Sequence, residues 1–334
     1  MLLGLSVLAV GLVVRHDDTA RGDGPAARSL GEPPARAFTD DSWWNTPLPR
    51  RTPGNPYGRE ILRYLRTAPE SGRGCLVLAG AGHSPWGQPM YQARPGDKAY
   101  HVRLPGHLRL PELRHLRIPA GAQSAGNSDG SMTVYDIRRG YVVMLTDAAY
   151  DAGARQWRAS GASLTYLDSN GLDVRTGRSD DPRNVGSHRG NNGATAAVSY
   201  AEVHDGALRH VVKVAVGPEV AHRFVFPMVG SDGDYHGDDP AVPPQGLRLR
   251  LRYSVDLSGL DRQARVIAHG LQRYGFYIGD SGGTTALKLE NTVAEGRGQL
   301  WDLPADSLCG MPFTPRFWQV LPEGYDPTRP GGAR

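Results

Sequence analysis

His210-Val211-Val212-Lys213-Val214-Ala215-Val216 decides the architecture: valines recur at alternate positions around Lys213 and Ala215. Branched residues at period two are the mark of a half-buried antiparallel strand. Met132-Thr133-Val134-Tyr135 reads the same way. Outward from these two stretches, strand patterns recur at 131–137, 141–145, 163–167, 196–203, 210–216, 222–229, 247–255, 276–278 and 286–289, with turn residues between them. Helical spacing is confined to 59–67 and to a stretch that Ser258 can cap, with Ala264, Ile267, Ala268 and Leu271 as its apolar stripe and Gly275 at its end. Strands without βα alternation predict a mainly β chain: antiparallel sheets in a β-sandwich or jelly-roll-like arrangement, with one or two short helices.

The flanks read differently. Residues 1–14 are an unbroken apolar run. At ~1.5 Å per residue they fall short of a ~30 Å hydrocarbon core, so they predict a signal peptide or an N-terminal anchor rather than a confident span. A charged, Pro/Gly-rich stretch to residue 37 reads as a disordered linker. A single β-rich domain is expected over 38–325, with its aromatic start (38–57) wrapping it and 326–334 as a disordered tail. The expected location is extracellular or the outer face of the cell membrane. Cys75 and Cys309, the only two cysteines, either form one disulfide there or remain as buried thiols.

Net charge is +4, carried by scattered arginines. Nothing interleaves basic with aromatic residues as a nucleic-acid surface does, and a membrane contact is expected only through the N-terminal segment. The alternation Arg248-x-Arg250-x-Arg252 reads as one solvated strand face.

Gly279-Asp280-Ser281-Gly282-Gly283 matches the nucleophile loop of trypsin-like proteases. A serine nucleophile needs a histidine base oriented by a carboxylate. The nearest look-alike, Ala268-His269-Gly270, lies too close upstream and on the expected helix, so a protease is rejected. In the 231–239 loop, Asp232, Asp234 and Asp238 could ligate a structural calcium, although a plain Asx-turn loop is the commoner meaning of such a sequence. No other cofactor is required.

Glu202 and His210 lie on consecutive strand patterns joined by a short turn, so a hairpin could put carboxylate and imidazole on one face for acid–base work. The polar loops contribute Asp129, Asp168, His188 and Arg189, and Asp280 follows a strand directly. The expected site therefore joins Asp129, Glu202, His210 and Asp280 as catalytic groups in one cleft, with Asp168, His188 and Arg189 binding substrate at its rim.

At Trp43-Trp44-Asn45-Thr46-Pro47, Val225-Phe226-Pro227, Pro243-Pro244-Gln245-Gly246-Leu247 and Tyr274-Gly275-Phe276-Tyr277-Ile278-Gly279-Asp280, the chain resembles a group of secreted β-rich proteins from high-GC (actinobacterial-type) soil bacteria. The resemblance implies export and a single domain, and brings no activity with it. The residue types favour a carbohydrate-active enzyme, most simply a glycoside hydrolase with paired carboxylates. The alternatives are a polysaccharide lyase with a His or Tyr base, with Arg189 neutralising a uronate, and a glycan-binding or cell-envelope protein. The expected partner is a polysaccharide or other extracellular glycan.

Overall fold

The computed structural model describes residues 36–329 except 83 and 107, so the expected signal or anchor segment lies outside the described residues. The chain is mainly β, with three α-helices among the described residues. A six-stranded sheet runs in the order Val77–Ala79, Ala286–Lys288, Val212–Val216, Phe276–Ser281, Arg248–Leu251, Trp318–Val320. A four-stranded sheet runs Gly161–Tyr166, Tyr141–Thr146, Met132–Asp136, Met90–Gln92. The pairing is mixed rather than antiparallel throughout. The Val212–Val216 strand lies parallel to Phe276–Ser281 and antiparallel to Ala286–Lys288, and Met90–Gln92 lies parallel to Met132–Asp136.

Each sheet has its own core. Val212, Val214 and Val216 turn from one face of the six-stranded sheet into a cluster with Ile61, Leu65, Ile267 and Leu271 from the helices. The four-stranded sheet contributes Val134, Val143, Leu145 and Leu164 to a second cluster. Between them runs an aromatic seam in which Trp43 and Trp44 meet Tyr277 edge-on, with ring centroids 5.9 and 5.5 Å apart. The aromatic start of the domain therefore does more than wrap it.

Helix α1, Gly58–Thr67, buries Ile61, Leu62 and Leu65 as its spacing requires. Helix α2, Tyr200–His204, replaces the end of the strand expected at 196–203. Ser199 caps it, accepting a hydrogen bond from the Glu202 backbone N–H (3.3 Å) and donating its own hydroxyl to Glu202 Oε2 (3.0 Å). Helix α3, Arg262–Arg273, starts one turn later than expected. Asp261, not Ser258, caps it through Ala264 N–H (2.8 Å), while the Ser258 hydroxyl is held by Asp256. Gly275 follows it with φ 72°, the left-handed conformation that suits glycine after a helix.

Two further expectations are corrected, one about charge and one about a boundary. Arg248 and Arg250 are 1% and 4% exposed, not solvated. Arg248 stacks over Trp43 and donates to the Tyr274 carbonyl, and burial pushes its pKa down to about 9. Arg250 donates to Gln319 and to the carbonyl oxygens of Pro49 and Arg50. At the other end, the domain passes the expected boundary at 325: Asp326 is buried and holds Arg178 (3.2 Å) and Arg329 (3.5 Å).

Cys75 and Cys309 form a disulfide, settling the alternative left open above.

Candidate functional site

The face of the six-stranded sheet turned away from the helices forms the floor of an open cleft of about 720 Å³. Strand periodicity explains the choice of residues. Lys213 and Ala215 share one face of the central strand, and the register sets Asp280 and Ala286 opposite Ala215, with Lys288 two residues beyond. Ala79, Ala215 and Ala286 are too small to fill the space above them. A β-bulge between Val214 and Ala215 interrupts the pairing with Phe276–Ser281 beside Lys213, and such bulges re-aim side chains. The backbone is tight at this point. A Cβ on Gly279 would come within 2.6 Å of the Lys213 side chain and 2.7 Å of Asn191, so only glycine fits.

Asp129, Ser131, Met144 and Thr146 form the opposite wall, and Arg189 and Asp232 close one end from their loops. The charges alternate around the cleft. Lys288 Nζ contacts Asp129 (2.7 Å), Lys213 Nζ contacts Asp280 (3.0 Å), and Arg189 Nη1 contacts Asp280 (2.9 Å) and Asp232 together. Gln245 also donates to Asp232. Trp86, 45% exposed, offers an aromatic face at the margin.

Burial sets the electrostatics. It lowers the Lys213 pKa; Asp280 opposes that shift, and Lys288 and Arg189 reinforce it. Burial would raise Asp280, but Lys213 and then Arg189 outweigh it and hold the carboxyl below its usual range. The Arg189 loop is fixed from beneath: Asn191 donates to the Gly279 carbonyl (2.8 Å) and accepts from the Tyr277 hydroxyl (3.1 Å).

The expected site is thus divided. Asp129, Asp280 and Arg189 meet in the cleft, and His188 lies near enough for Asp232 and Asp280 to act on it, although its side chain is turned to solvent. Asp168 is exposed and lies near Arg183, outside the cleft lining. Glu202 and His210 do meet, but through helix α2 rather than a hairpin, and in a separate buried chamber. His210 Nε2 lies 3.2 Å from Glu202 Oε2, and its Nδ1 lies 2.8 Å from the Val211 carbonyl. Burial would lower the imidazole pKa; the Glu202 charge and hydrogen bond overcome this and raise it.

Asp232, expected with Asp234 and Asp238 as calcium ligands, turns instead to Arg189 and Gln245, and Asp234 and Asp238 are exposed. No three His, Cys, Asp or Glu side chains are grouped to hold a metal among the described residues. Ser281 lines the cleft, but the only histidine in its sequence neighbourhood, His269, faces Gln272 on α3.

Sequence reasoning missed Lys213, Lys288 and Trp86 as cleft residues. The available signal was a lysine inside an otherwise unbroken apolar strand, which in a sheet covered on both faces must find a buried partner. No protein-family model, curated protein or solved structure matches the chain.

Proposed function

We propose that the chain is a secreted carbohydrate-active enzyme that cleaves an acidic polysaccharide by β-elimination in this cleft. The observation that carries the reading is Lys213: a buried ammonium with a lowered pKa, opening into a cleft that also holds Arg189 and Lys288. A lysine shifted in that direction is closer to acting as a general base at neutral pH. Arg189 offers a planar guanidinium to a uronate carboxylate, which makes the proton on the adjacent carbon easier to remove. In its neutral amine form, which the lowered pKa makes easier to reach, Lys213 takes that proton; the glycosidic carbon–oxygen bond breaks, and Lys288, ion-paired to Asp129, supplies the proton to the departing oxygen. Trp86 gives a sugar ring an apolar face to stack on. The disulfide fits the oxidising compartment that export implies.

A second reading, glycoside hydrolysis, is favoured by Asp232 and Asp280 sharing one Arg189 nitrogen, a close pair of carboxylates in the same cleft. It is the weaker one, because Asp280 is held ionised and a hydrolase also needs a protonated carboxyl acid. Incubation of the purified protein with a panel of uronate-containing and neutral polysaccharides separates the readings. Ultraviolet-absorbing unsaturated ends support elimination, and reducing ends without unsaturation support hydrolysis. Binding without either product leaves a glycan-binding protein.

A further inference from the structure

The chamber that holds Glu202 and His210 is roofed by Trp44 and Asn45 and also lined by Tyr135 and Thr195. Four polar atoms on its wall are inaccessible to solvent and have no hydrogen-bond partner among the described residues: Arg36 Nε, Trp44 Nε1, Asn45 Oδ1 and Glu202 Oε1. Trp44, Asn45 and Glu202 are only 1–2% exposed. Native interiors rarely leave buried polar atoms unpaired, and four around one chamber call for a common partner.

Their chemistry specifies it. The indole and guanidinium nitrogens can only donate, and the carboxylate and amide oxygens can only accept. The orientation of the Asn45 amide is fixed, because its nitrogen already faces the carbonyl oxygens of Ala37 (2.6 Å), Phe38 (3.2 Å) and Thr39 (3.0 Å). The other Glu202 oxygen is engaged by Ser199 and His210, which leaves Oε1 for the chamber. We propose that the chamber is a binding site for one internal water molecule, which accepts from Arg36 and Trp44 and donates to Asn45 and Glu202. Two donors and two acceptors match the tetrahedral valence of water. An ammonium or metal cation would meet two N–H groups head-on, and a halide would meet two oxygens. The space for a guest, about 10 Å³, is that of a single water. The water ties the 36–45 segment to helix α2 and fills the open valence of the carboxylate that pairs with His210.

Atomic-resolution crystallography and proton NMR of the unmodified protein test this together. The expected result is one density peak within about 2.7–3.2 Å of all four atoms, with a cross-peak from the Trp44 indole proton to a long-lived water. Crystals grown in rubidium or bromide salts should show no anomalous signal in the chamber. An anomalous peak there, an indole proton without a water cross-peak, or side chains that bond directly to one another would overturn the proposal.

Discussion

The chamber and the cleft hold the same kinds of groups under opposite conditions. In the chamber, the Glu202 and His210 side chains are 3% and 8% exposed and bond to each other, to Ser199 and to a backbone carbonyl. In the cleft, Asp129 is 43% exposed opposite Lys288, and Arg189 is shared between two carboxylates. A sealed pair has no bulk solvent to replace a member that is lost. A cleft pair can exchange its partner for solvent or for a ligand. The difference teaches that charge pairing by itself does not separate the two regions; access does.

The sharpest way to break that distinction is Lys213→Ala. If the cleft carries the chemistry, turnover of an acidic polysaccharide should fall by about 10²–10⁴-fold, the usual worth of a general base, measured as the rate of unsaturated product. Glu202→Ala should do the reverse. It leaves a buried imidazole uncompensated and should cost about 3–5 kcal/mol in chemical denaturation, with the remaining folded fraction fully active. A Glu202→Ala protein that folds normally but turns nothing over would move the site into the chamber.

The pH dependence separates the two regions by sign. His210 has a raised pKa, so the stability it contributes is fully present below its unfolded value of 6.5 and is lost as pH rises through the higher folded value. Glu295, buried against Glu290 and raised to about 10, acts in the same direction between 4.5 and 10. Asp280 has a lowered pKa, so its contribution is present above 3.8 and is lost as pH falls through the folded value. Denaturation midpoints across pH should therefore sag at the alkaline side in wild type, and Asp280→Asn should flatten the acid limb. The smallest effect is expected at Asp129→Asn. Its exposed pair should be worth about 0.2–1 kcal/mol, within reach of a thermal melt compared at low and high salt.

Much of the fold was legible because alternation reports burial directly: the patterns at 131–137, 141–145 and 210–216 lie where the strands Met132–Asp136, Tyr141–Thr146 and Val212–Val216 form. What failed was pairing and local competition. Nothing in Val-Lys-Val distinguishes a parallel neighbour from an antiparallel one, so the mixed sheet was hidden, and with it the partner that the buried Lys213 would find. Short strands such as Val77–Ala79 and Trp318–Val320 are fixed by their sheet partners rather than by their own sequence. Ser199-Tyr200-Ala201-Glu202 has the spacing of a capping box, and that local signal outranks the branched residues that suggested a strand. The Glu202–His210 contact was anticipated, but its sealing was not, because the roof comes from Trp44 and Asn45, far away in sequence. Asp129 could be nominated from its loop, and Asp280 from its place at the end of a strand pattern, where the strand in fact runs on to Ser281. Their lysine partners follow only from the register of three strands.

The Cys75–Cys309 bridge spans 234 residues and so encloses most of the folded chain in one covalent ring. Proteases cut first at exposed polar loops, and residues 236–240 are such a place. A ring cut once is still one molecule: the two fragments stay joined through the sulfur atoms and through the shared sheet. Nicked protein would run as one species on a non-reducing gel, and its two fragments would separate only after reduction. The bridge thus makes the first proteolytic event survivable, a form of durability separate from folding stability.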